Sequence, residues 1–253
     1  FLLWASAWAW FYWPSLTGLV SVWRTGQTHG WLILLLAAGL GAERWRRGPG
    51  RGCDPAPPAG YICFGLSLVL ALLGRAGGMD SMVMWSMWLS IVALVLLLCG
   101  VHSLWSQALP ILVLLFCLPV PLPLRLEAGR VCAELSANLA ARLLHVSGAP
   151  AFQAGSTLDL GFMNMNVAQV CDGFGLMPPA LLAALLAGAW IARGFGARLI
   201  LAACVPVLAV LANGLRLGVA GYLARNTSLV AAQSFFHEAS GYAAFGLILA
   251  AVL

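Results

Sequence analysis

Long apolar runs of membrane-spanning length dominate this chain and fix the solvent in which it folds. Eight runs can be read: Phe1–Val20, Gly30–Ala42, Tyr61–Leu73, Met82–Cys99, Leu104–Val120, Phe174–Ala192, Leu199–Ala220 and His237–Leu253. Charges, Pro and Gly, or polar clusters close each of them. Crossing hydrocarbon takes about 17–25 mostly apolar residues in a helix, because each backbone polar group must be satisfied within the segment. The second and third runs are short by this measure. Composition agrees: 62% of the 253 residues are hydrophobic and 8% charged, against roughly a quarter charged in a soluble domain. The net charge of +5 is spread thinly along this apolar chain, which argues against a nucleic-acid partner. The expected fold is an all-α integral membrane protein of about eight transmembrane helices, forming one polytopic domain over residues 1–253 with the lipid bilayer as its partner.

The segments between the runs are unequal. Glu43–Gly60 carries Arg44, Arg46, Arg47 and Arg51 in a short loop, which the positive-inside rule assigns to the cytoplasm. Counting spans from there puts Arg193 and Arg198 on the same side. His29, Asn226–Ser228 and the insert 121–170 fall on the opposite, extracytoplasmic side. Within the insert, Val131, Leu135, Leu139 and Leu143 recur every four residues, as in an amphipathic helix lying in the membrane interface. Beyond Ser147-Gly148-Ala149-Pro150, residues 157–170 alternate apolar and polar with a phase break at Gly161–Met163. That pattern predicts a small β-hairpin before the sixth span. The Trp-rich start (Trp4, Trp8, Trp10, Trp13, Trp23) suits an interfacial aromatic belt.

Ionisable groups at membrane depth cost about 2.5–3.5 kcal/mol each on insertion scales, so they call for a function. The span count brings three to one face. Cys171 immediately precedes span six, Arg216 returns to that face about two spans later, and His237 opens span eight. A thiol, an imidazole and a guanidinium at one rim suit thiol acyl transfer. Cys attacks a carbonyl, His moves protons, and Arg stabilises the oxyanion or the thiolate. Cys171 stands at a helix start, where the dipole favours a thiolate, and Gly173 lets backbone approach a substrate carbonyl. Asn213 and Arg216 are i, i+3 on one helix face. Each group also has a plainer reading, as a core thiol, a snorkelling Arg or an interfacial His. The seven Cys lack a C-x-x-C pair and no cluster has metal-ligand spacing, so neither a metal nor another cofactor is expected.

The ordered blocks Val170-Cys171-Asp172-Gly173, Ala212-Asn213-Gly214-Leu215-Arg216 and Phe235-Phe236-His237-Glu238-Ala239-Ser240-Gly241-Tyr242 resemble the three signature blocks of the exosortase/archaeosortase family. Thr28-His29-Gly30-Trp31-Leu32 is similar to its early His-Gly block. The stretch from Leu109-Pro110 through Pro119-Val120-Pro121-Leu122-Pro123 to Gly148-Ala149-Pro150 is similar to its middle. The likeness runs from about Gly26 onward. After the Cys the family commonly continues Ser-Gly-Leu-Arg, whereas this chain has Asp172-Gly173-Phe174-Gly175-Leu176.

The resemblance implies a multi-pass cysteine transpeptidase or peptidase of the plasma (inner) membrane, its active site facing outward. Its substrates would be exported proteins ending in a PEP-CTERM-type sorting tag: a short motif, a transmembrane helix and an Arg-rich tail. Catalysis would fall to Cys171 as nucleophile, His237 as general acid and base, and Arg216 as stabiliser. Asn213, Asp172, Gly173, Glu238 and His29 are supporting or substrate-binding candidates. A lipid or envelope component, or water, would resolve the thioester. Two alternatives come from other classes. One is a transporter or channel in which Arg216 and His237 handle an anion or protons; the other is an assembly subunit in which Cys171 is dispensable.

Overall fold

The computed structural model describes residues 2–24, 30–46, 54–170, 173–191, 195–227 and 240–252. They form two compact units that divide at Leu122.

The first unit contains α1 (Leu2–Arg24), α2 (Gly30–Arg46), α3 (Pro57–Ala76), α4 (Asp80–Ser106) and α5 (Ala108–Leu115). Its α3–α4 hairpin shows how this chain packs. The buried face of α3 consists of Gly60, Ser67, Ala71 and Gly74, while Tyr61, Ile62, Leu66, Val69, Leu72 and Leu73 are exposed. Small residues let the two backbones approach: a Cβ on Gly60 would lie 2.6 Å from Leu97 Cγ. In water, large side chains would take the interior. In lipid, Leu gains little by burial, so close packing of small residues decides which face goes inward. The helices α3 and α4, together with Gly196–Asn226, are long and apolar enough to cross a membrane.

Two expectations change in this unit. The run Leu104–Val120 does not form one spanning helix. Helix α4 continues to Ser106 past a break at Gly100 (φ +81°). The chain then doubles back as the eight-residue α5, about 12 Å long. Pro110 stands in its first turn and Pro119 and Pro121 follow it, denying the run the N–H groups and φ/ψ freedom of an unbroken helix. Trp88 donates its indole N–H to Ile111 O at 2.8 Å, tying α5 against α4. The aromatic belt also divides. Trp8 turns inward to donate to Ser90 Oγ at 2.8 Å and Trp23 to Cys117 O at 3.0 Å. Trp10 and Trp13 remain exposed.

The second unit begins with α6 (Leu122–Val146), followed by β1 (Phe152–Ala154), β2 (Thr157–Asp159), β3 (Asn164–Asn166) and the short α7 (Val167–Val170). A 3-10 turn (Phe174–Leu176) leads into α8 (Met177–Trp190), then α9 (Phe195–Asn226) and α10 (Ser240–Val252). The expected hairpin is β2–β3, with Gly161 in the turn at φ +80°. A third strand, β1, joins it antiparallel, through a two-residue Gly155-Ser156 loop that is itself a hairpin signal. Pro178 and Pro179 stand at the opening of α8, where the missing N–H groups have no partner to lose.

The expected amphipathic helix is present, with small residues making up most of its buried face. Cys132, Ala133, Ser136, Ala137, Ala140, Ala141 and Leu144 are buried, while Val131, Leu135 and Leu143 are exposed. The second half of α6 packs along α9. Ser136 Oγ donates to Val210 O at 3.5 Å, Leu139 covers Gly214, Leu143 covers Gly218 and Leu144 covers Gly221. These contacts advance together along both helices over about three turns. The sheet packs on the same half through Leu158, Leu160, Met165 and Val167, and Gln153 Nε2 donates to Glu134 O at 2.9 Å. On the exposed side Arg130 bonds Glu127 and Glu134. The hydrogen bond from Arg130, then its charge, holds the Glu127 carboxyl below its ordinary range. A depressed carboxylate stabilises the fold above its unfolded-state pKa and loses that contribution on acidification; for a pair this exposed the contribution is small.

Gly100 supplies the test of this architecture. A Cβ there would fall 1.7 Å from Asp54 O, in a backbone region that costs a non-Gly residue about 1–3 kcal/mol. Gly100→Ala is expected to lower the unfolding midpoint in detergent by about 5 °C or more. Gly65→Ala, where nothing lies within 4 Å, should leave it unchanged or slightly higher; equal midpoints for the two variants would refute the kink's role.

Candidate functional site

Helix α9 presents three faces. At about 100° per residue, Gly214, Gly218 and Gly221 share the side covered by α6, and Leu211, Leu215 and Tyr222 share an exposed side. Val205, Ala209 and Ala212 share a third, in one core with Met177, Ala180 and Ala184 of α8 and Ala244 and Ile248 of α10. Asn213 and Arg216 extend that third face by one turn, so both stand where the start of α8 and the start of α10 meet α9.

On the α8 side the contact is with Gly173. This residue is left-handed (φ +76°, ψ −15°) and precedes the 3-10 turn. A Cβ on it would come 3.0 Å from Asn213 Nδ2 and 3.2 Å from Cγ. The Asn213 side chain, fully buried, therefore lies directly under the Gly173 backbone. Two requirements coincide at this position: a φ that disfavours every L side chain and an approach that leaves no room for one.

On the α10 side Arg216 Nε donates to Ser240 Oγ at 2.6 Å. Ser240 lies in α10 and is 2% exposed, whereas Arg216 is half-buried. A guanidinium held through Nε has its plane fixed while its two terminal nitrogens point away from the anchor. One to two turns earlier along α9, a shallow apolar groove lies between α9 and α10. Leu208, Leu211, Leu215 and Leu247 are among the residues that line it.

Of the residues singled out from the sequence, Gly173, Asn213 and Arg216 come together here. Cys171, Asp172, His237, Glu238 and His29 lie outside the described residues. Ser240 was not anticipated as a partner, although it sits in the same block as His237, three residues on. Its available signal was that spacing, with a hydroxyl in an apolar helix. Among the described residues no group of three or more His, Cys, Asp or Glu comes close enough to hold a metal ion.

One family model, described as Transmembrane exosortase (Exosortase_EpsH), matches residues 22–253. No curated protein and no solved structure matches the chain.

The Gly173–Asn213 contact predicts coupling between the two positions. Gly173→Ala is expected to destabilise the protein both by backbone strain and by displacing the amide. In an Asn213→Ala background the second part disappears, so the same substitution should cost less there by about 0.5–3 kcal/mol. Chemical denaturation of the four proteins in micelles measures this, and strictly additive costs would contradict the contact.

Proposed function

This chain belongs to the transmembrane exosortase family, and from that premise we propose that it cleaves the C-terminal sorting tag of exported proteins through a Cys171 thioester. The family acts as membrane transpeptidases on tagged exported proteins. The finer reading adds the substrate tag, consisting of a short motif, a transmembrane helix and an Arg-rich tail. It also adds an active site at the outer face of the plasma (inner) membrane, in a single polytopic domain of about eight spans.

One observation carries the reading: α9 gathers the surroundings of both expected catalytic blocks within one turn. Gly173, two residues after Cys171, packs on Asn213, and Ser240, three residues after His237, bonds Arg216. Two and three residues of chain reach at most about 7 and 11 Å. The chemistry follows from the groups. The Cys171 thiolate attacks the scissile carbonyl carbon, and the charge that develops on its oxygen is stabilised by the Arg216 guanidinium. The C–N bond breaks as His237 delivers a proton to the departing amine, which leaves with the membrane helix and the Arg tail. A thioester remains on Cys171. An amine or hydroxyl of a lipid or envelope component, or water, then attacks the thioester, gives its proton to His237 and displaces the thiolate. Asn213 and Gly173 hold the Cys171 block against α9, while Asp172, Glu238 and His29 are substrate-contact candidates. The groove between α9 and α10 gives the substrate helix an apolar surface leading toward Arg216.

The test is tail removal from a tagged substrate in cells, followed by immunoblotting. Cys171→Ala and His237→Ala should abolish processing, and Arg216→Ala should lower it by at least about a hundredfold, the loss seen when one oxyanion donor is removed. Unchanged processing by Cys171→Ala would eliminate the thioester route.

A further inference from the structure

We infer that Ser240 is a positioning residue for the transfer reaction, its hydroxyl setting the plane in which the Arg216 guanidinium faces the reacting carbonyl. The inference rests on the proposed role of Arg216 and goes beyond it, since it identifies what holds the guanidinium in place.

The geometry is specific. Nε donates directly to Oγ at 2.6 Å, and a hydrogen bond with a charged donor is stronger than one between neutral groups. The acceptor is 2% exposed, so little water competes for it. Both partners stand on packed helices. Arg216 projects from α9, and α10 is fixed against α9 by Ala244 and Ile248 meeting Val205, Ala209 and Ala212. Ser240 is itself helical, so its backbone is set by α10. Arginine is a long side chain that loses much rotamer freedom on being held. A guanidinium tied at Nε by a rigid hydroxyl has lost that freedom before substrate arrives. A donor aimed in advance at a developing oxyanion is worth more than one that must reorganise. The same bond joins the α9 block to the block that contains His237, so two of the three expected catalytic groups share one brace.

The experiment compares full-length Ser240→Ala, Ser240→Cys and Ser240→Thr with wild type and Arg216→Ala. The readout is steady-state tail removal from a purified tagged substrate in detergent or proteoliposomes, with unfolding midpoints measured in parallel. Ser240→Ala is expected to lower kcat by about tenfold or more, the scale of losing a hydrogen bond to a charged group, with KM changed by less than about threefold. Ser240→Cys preserves volume but replaces the hydroxyl with a weak acceptor, so it should behave like Ala; it decides the matter should the Ala variant fail to fold. Ser240→Thr restores the hydroxyl and should recover most of kcat. The inference is overturned if folded Ser240→Ala or Ser240→Cys turns over as wild type does while Arg216→Ala is impaired. It is also overturned if folded Ser240→Thr loses as much kcat as Ala. Wild-type turnover by Arg216→Ala would instead remove the proposed role of Arg216 and, with it, the need for a brace.

Discussion

The second half of the chain depends on how closely α9 is approached by its neighbours. Gly214, Gly218 and Gly221 leave no side chain on the face toward α6, and Leu139, Leu143 and Leu144 settle into the space. Gly214 and Gly218 bracket Leu-Arg-Leu, a Gly-x-x-x-Gly interval of the kind that lets membrane helices meet backbone to backbone. Dispersion is the main attraction available between helices in lipid, and it falls off steeply with separation. The sheet, seated on the other small residues of α6, is placed in turn. Asn213 and Arg216 then extend toward α8 and α10 because they occupy a different face of the same turn.

The same inversion of size governs the first half. Helix α3 turns Gly60, Ser67, Ala71 and Gly74 inward and leaves its Leu, Ile and Val outside. Polar side chains at the helix contacts bond nearby partners. Tyr12 meets Ser86 at 3.1 Å, Trp85 donates to Pro119 O at 3.0 Å, and Arg44 to Ser106 O at 2.7 Å. The indoles of Trp23 and Trp85 supply the carbonyls of Cys117 and Pro119 in the irregular segment after α5, which hydrocarbon would otherwise leave unsatisfied. Gly100 shows the opposite device. There the helix itself gives way so that Asp54 and Pro55 can pass against it.

Much of this was legible in the sequence, and the remainder has identifiable causes. Hydropathy located the helices because lipid selects for long apolar runs. It missed the doubling back of Leu104–Val120 because the average across that run hides what Pro110, Pro119 and Pro121 do to a backbone. The hairpin at Thr157–Asn166 was readable from alternation and its glycine, while β1 lies before that alternating stretch and is signalled by the Gly155-Ser156 turn alone. The Leu stripe of α6 indicated the helix, and Leu139 and Leu143 of that stripe meet α9, but the small residues that fill its buried face carry no hydropathy signal of their own. In the site, the i, i+3 spacing of Asn213 and Arg216 was sufficient to pair them. Their partners, Gly173 ahead of α8 and Ser240 in α10, lie 40 and 24 positions away, and periodicity along one helix carries no information about such contacts.

Scarcity of charge gives Arg216 its meaning. Between Arg198 and Arg225 it is the one charged residue of α9, so its face has no neighbouring ion on the same helix. A guanidinium there must be either hydrated or held by other helices. An Arg that merely snorkelled would need a long reach to headgroups and no particular partner. Instead Nε meets the hydroxyl of Ser240, a residue almost inaccessible to solvent, on another helix. That placement commits part of the side chain to a fixed direction at a loss of conformational freedom. Val205, Ala209, Ala212 and Ala244 pack α9 against α10 with apolar side chains, a turn and more away from that bond. In the proposed reaction, that fixed direction serves the negative charge that develops as the peptide carbonyl is attacked.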